Sequence, residues 1–64
     1  MLKNNTYNIM MQLTEEHKSL WRIKSEYIKD AKGSKDILAF WKKMVLEKET
    51  HIQELQSFLK KELS

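Results

Sequence analysis

A single glycine, Gly33, stands near the middle of a 64-residue chain that holds no proline, and a long run of helically spaced apolar residues lies on either side of it. With no other helix breaker present, the chain has one place to turn, the stretch Ala31-Lys32-Gly33-Ser34-Lys35. Gly33 is expected just past a helix C-terminus, in the left-handed backbone region where a Cβ is strained. Ser34 is expected to N-cap the next helix through its hydroxyl, and Asp36 adds negative charge where the helix dipole favours it. A loop this short folds the second helix back antiparallel onto the first. No second glycine stands nearby, so Gly33 reads as a cap and not as part of a phosphate loop.

Upstream, Ile9, Met10, Leu13, Leu20, Ile23, Tyr27, Ile28 and Ala31 recur at steps of three and four, which predicts one helix over about residues 6–32. Asn5 or Thr6 is its expected cap, and the residues before them read as a tail. Thr14-Glu15-Glu16 offers a second start, but the apolar stripe already runs ahead of it. Downstream, Ile37, Phe40, Trp41, Met44, Val45, Ile52, Leu55, Phe58, Leu59 and Leu63 share a face and predict a helix over about residues 36–63. Lys60 and Lys61 lie in its last turn, where positive charge suits the dipole. Residues 33–35 are left as the turn, and 1–64 form a single all-α domain.

At about 100° per residue each stripe covers roughly 160° of its helix, wider than the seam one partner helix can cover. A lone hairpin would leave part of each stripe wet, so two hairpins are expected to pack as an antiparallel four-helix bundle, a homodimer. Leu13, Leu20, Tyr27, Trp41, Met44, Ile52, Leu55 and Leu59 are the expected interface residues. Met1, Met10, Met11 and Met44 could suggest an adaptable binding groove, but at these spacings methionines belong to a core.

Polar residues interrupt these faces at few places. Glu16, His17 and Lys24 fall within or at the edge of the first stripe, and Lys48 and His51 within the second. Antiparallel pairing about Gly33 and Ser34 sets His17 level with His51, Lys48 about one turn from Glu16, and Lys24 near Met44 and Glu47. A polar layer is thereby predicted across the middle of an otherwise apolar bundle.

The second segment runs from Ile37-Leu38-Ala39-Phe40-Trp41 through Met44-Val45-Leu46-Glu47-Lys48-Glu49-Thr50-His51 to Leu55. It resembles the second helix of rubrerythrin-type members of the ferritin-like superfamily, which carries an aromatic residue, an apolar stretch, Glu-x-x-His and a leucine. The resemblance implies half of a four-helix bundle. It also implies a di-iron site that takes a glutamate from the first helix and a Glu-x-x-His from the second. The histidine falls on His51 and the first-helix glutamate on Glu16, with Glu15 less inward. Lys48 stands where the Glu-x-x-His glutamate would be, removing a ligand and repelling a cation. Glu47, four residues before His51, could still share an iron or zinc ion with His51, Glu16 and His17. The other reading makes both histidines hydrogen-bonded residues at the edge of the core.

A basic stripe of Lys18, Arg22, Lys29 and Lys32 could track phosphates. Glu15 and Glu26 lie three residues before Lys18 and Lys29, however, and no aromatic residue is expected on that face, so a solvated surface accounts for it better. A net charge of +3 and a pI near 9.3 add little to the nucleic-acid reading. No apolar run reaches signal-peptide or membrane-spanning length, cysteine is absent, and no nucleophile stands beside a base. The expectation is a cytoplasmic structural or interaction module with itself as partner, leaning away from an enzyme. A metal-binding or redox half-ferritin is the alternative, and a nucleic-acid binder the weaker one.

Overall fold

The computed structural model describes residues 4–64; Met1 and the rest of the expected tail before Asn4 lie outside the described residues. The fold is all-α. A first arm comprises α1 (Asn4–Arg22), a π-helical turn (Ile23–Tyr27) and α2 (Ile28–Asp30), and a second arm is the single helix α3 (Lys35–Leu63). No strand occurs among the described residues.

The helix is already formed at Asn4, so Thr6 is not a cap. It lies inside α1 as a buried polar residue, 3% exposed. Thr14 is likewise internal, and its hydroxyl donates to the Met10 carbonyl at 2.9 Å, a local bond that small polar residues make within a helix.

The turn is built differently from the expectation. Gly33 has no positive φ, and a Cβ added to it would meet nothing within 4 Å, so its lack of a side chain is not what closes the reversal. Backbone bonds close it instead: Ala31 N–H donates to Tyr27 O at 3.1 Å, and Ser34 N–H to Ala31 O at 2.9 Å. Ala31, at φ −90° and ψ 9°, sits in the bridge region common at such turns. Ser34 does occupy the N-cap with extended backbone, but its hydroxyl makes no capping bond; its carbonyl accepts Leu38 N–H at 3.0 Å. Asp36 in the first turn and Lys60 and Lys61 in the last suit the dipole of α3.

The inward residues step alternately by three and four. On the first arm they are Thr6, Ile9, Leu13, Glu16, Leu20, Ile23 and Tyr27; on α3 they are Leu38, Trp41, Val45, Lys48, Ile52, Leu55, Leu59 and Glu62. This is a seven-residue repeat, the spacing of a two-helix seam, which is narrower than a globular helix face. Among the described residues, Ile23, Ala31 and Ile52 are the buried apolar ones. Near the turn the Tyr27 and Trp41 rings meet at 4.9 Å, tilted by 45°, within the range of favourable aromatic pairs.

The wide apolar stripes are therefore only partly covered. Met10, Ile37, Phe40, Phe58 and Leu63 stay exposed, as do Tyr7, Met11, Trp21 and Leu46, because one partner helix reaches only the central rows.

The π-helical turn marks where the repeat changes phase. Ile28 N–H donates to Ile23 O, five residues back, so this turn holds one residue more than an α-helical one. Beyond Tyr27, Ile28 is half-buried and the next fully buried residue is Ala31, while Asp30 remains exposed. The Ser25 hydroxyl, within the turn, donates to the Trp21 carbonyl at 2.7 Å.

Candidate functional site

Glu16 and Lys48 occupy inward positions of their helices, where the seven-residue repeat otherwise calls for apolar side chains. They meet. Lys48 Nζ donates to Glu16 Oε2 at 3.1 Å, with the side chains 17% and 13% exposed respectively. Gln12, one turn before Glu16, donates its Nε2 to the other carboxylate oxygen at 3.0 Å. Both oxygens are thus satisfied, and among the described residues no buried side-chain polar atom lacks a partner.

Burial pushes the Glu16 carboxyl up. The hydrogen bonds from Lys48 and Gln12, together with the Lys48 and His51 charges, outweigh it and hold Glu16 below the ordinary value of 4.5. The Lys24 to Glu49 pair, at 3.3 Å, joins the arms nearer the turn but is about half exposed, so it contributes little. Lys24 meets Glu49 and not Glu47 because Glu49 borders the seam while Glu47 points outward.

The residues expected to gather as ligands are spread over different surfaces. Glu16 and His51 line one groove of about 400 Å³ with Gln12, Glu54, Leu55 and Phe58. His17 instead borders a hollow on the outer surface of α1 with Lys18, Trp21 and Arg22. Glu47 is exposed on α3, and Glu15 pairs with Lys18 at 3.8 Å on the surface. Among the described residues, no group of three or more histidine, aspartate or glutamate side chains is placed to hold a metal ion. The Lys48 ammonium stands on the Glu16 oxygen where a cation would otherwise bind.

Of the expected interface residues, Leu13, Leu20, Tyr27, Trp41, Ile52, Leu55 and Leu59 lie in or along the seam between the arms, and Met44 is half-buried beside it. Lys18, Arg22, Lys29 and Lys32 are exposed, as expected of a basic surface. Trp21 is a correction to the reading of that surface. It is 65% exposed and adjoins Lys18 and Arg22, so an aromatic residue does interleave with the basic ones. Its outward position follows from the repeat, in which Leu20 and not Trp21 takes the inward step. No protein-family model, curated protein or solved structure matches the chain.

Proposed function

We propose that this chain is a self-associating antiparallel helical hairpin whose two copies form a ferritin-like four-helix bundle. In this reading it serves in the cytoplasm as a structural or interaction module without catalytic activity. One observation carries the reading: the chain exposes 5329 Å², whereas a compact monomer of 7.7 kDa exposes about 4,300 Å². The radius of gyration of 14.5 Å likewise exceeds the roughly 11 Å of a globular chain of this length. Among the described residues, large apolar side chains such as Trp21, Phe40 and Phe58 are exposed, and these favour an interface over solvent. Among the described residues no helix is long and apolar enough to cross a membrane. Sedimentation equilibrium at micromolar concentration tests the proposal: twice the chain mass is expected, and a mass of one chain overturns it.

A metal-binding half-ferritin is favoured by one feature, the shared groove of Glu16 and His51, and opposed by Lys48 on the Glu16 carboxylate. Metal analysis of untagged protein purified without chelator decides between the two. Trp21 beside Lys18 and Arg22 is the feature that favours nucleic acid, where salt-dependent binding of a single strand is the test.

A further inference from the structure

Beside its inward row, α3 carries a second row at the same three- and four-residue steps, on the flank that borders the groove holding His51 and Phe58. The first part is apolar: Ile37 and Phe40 are more than half exposed, and Met44 is half-buried. Glu47, His51 and Glu54 follow, and then Phe58, again more than half exposed, and Lys61. The Phe40 ring leans on Trp41, with centroids 5.4 Å apart and planes at 57°, so its outward position is braced. A row with this spacing is a seam for one more helix. The first arm already fills the other row.

We propose that this flank of α3 seats the same flank of a second copy of the chain, with the two α3 helices antiparallel about a two-fold axis. The proposal rests on the self-association put forward above and names its surface. Antiparallel helices of this spacing set one column of a row against the other column of its mate. Pairing the row with itself end to end therefore places Phe40 against Phe58 of the second copy, and Glu47 against His51 of the second copy. Phe40 meets Phe58 and Glu47 meets His51, while at the same register Met44 faces Glu54 and Ile37 faces the aliphatic stem of Lys61; the symmetry makes each contact twice. The opposite choice, the outer surface of α1, is not self-complementary. There Trp21 lies among His17, Lys18 and Arg22, and a two-fold contact would bring cations against cations. The surplus surface, roughly 1,000 Å² above a compact monomer, is close to the ~800 Å² per partner that a standard stable interface buries.

Because the chain has no cysteine, a disulfide can report the pairing directly. Phe40→Cys with Phe58→Cys puts two thiols on one helix roughly 27 Å apart at 1.5 Å per residue, beyond disulfide reach within a chain. Any disulfide must therefore join two copies. Mild oxidation is expected to convert most of this variant to a covalent dimer, while Trp21→Cys stays uncross-linked. Glu47→Lys is expected to weaken dimerisation by about tenfold or more, and Glu47→Lys combined with His51→Glu to recover it. Both positions are exposed, so circular dichroism of these variants should keep its helix signal. If the native chain sediments as a dimer but the double-cysteine variant stays uncross-linked, or the charge swap does not recover association, this surface is wrong and self-association stands. If the native chain sediments as a monomer, both fail.

Discussion

Lys48 Nζ lies 3.1 Å from Glu16 Oε2, so two residues 32 positions apart in the chain close a charge-assisted bond within a seam that is otherwise mostly apolar. A charge reaching into such a seam persists because it is paired. Here the long lysine stem spans the apolar edge while its head finds the carboxylate.

Lys48→Met should leave Glu16 without its cation. Breaking a fully buried pair costs ~3 to 5 kcal/mol; with both side chains slightly exposed, a loss of roughly 1 to 3 kcal/mol is expected. Burial then acts on Glu16 with less opposition and its pKa rises. Adding Glu16→Gln should recover part of the loss. Urea denaturation of the wild type, both single variants and the double variant measures the coupling, and coupling near zero would show that the pair is ornamental.

Stability should depend on acid through the same carboxylate. Glu16 is held below its ordinary value of 4.5 in the folded chain. Between the folded and unfolded values the unfolded state binds more protons, so the stabilisation is present above the unfolded value and lost as pH falls through the folded one. Thermal melts from about pH 6 down to pH 3 should show a falling Tm, with the fall shallower in Glu16→Gln. Equal slopes in the two proteins would remove Glu16 from the account.

Trp41→Ala should weaken the turn end of the seam. The ring is half-buried and touches both Tyr27 and Phe40. Full truncation of a buried aromatic costs ~3 to 5 kcal/mol. Partial exposure lowers the expectation to roughly 2 to 3 kcal/mol, a fall in Tm of about 10 °C or more. Scanning calorimetry with sedimentation reads folding and association together, and an unchanged Tm and mass would contradict the packing described.

Lys48→Glu tests the family resemblance. It rebuilds Glu-x-x-His with His51 and sets a second carboxylate beside Glu16. The apo variant should be destabilised by crowded acids and regain stability with ferrous or zinc ion, since binding to the folded state adds to its stability. A melting temperature that does not respond to either metal would end the ferritin-like reading of the polar layer.

The two helical arms and the approach of Lys48 to Glu16 were legible because they follow from periodicity along each helix, whereas the break expected at 33–35 begins at Ala31 and ends before Lys35, which is already helical. The sideways placement of residues was not legible. The sequence reading sets His17 level with His51, yet His17 opens onto the back of α1 and His51 onto the groove, since a shared level does not fix a shared flank. Apolar spacing likewise could not say which rows the chain covers with its own helix; Met10 and Phe40 belong to the stripes and remain exposed. Gly33 misled because a lone glycine after a helix resembles a left-handed cap, whereas the backbone bonds at Ala31 and Ser34 close this turn. Nothing in Ile23-Lys24-Ser25-Glu26-Tyr27 announces a widened turn, because propensities say little about a single i to i+5 bond.

That widened turn works as a spacer between two rulers. Upstream the first arm keeps time with α3 in sevens, and downstream the reversal demands a small residue, Ala31, against the seam. The two requirements differ by one residue, and the extra residue in Ile23–Tyr27 absorbs the difference. A regular α-helix of the same length could keep its seam only by turning Asp30 inward, or keep Ala31 in place only by rotating the whole of α1, Glu16 included, away from Lys48. The wide turn near one end of the arm thus sets the alignment of an ion pair two helical turns away.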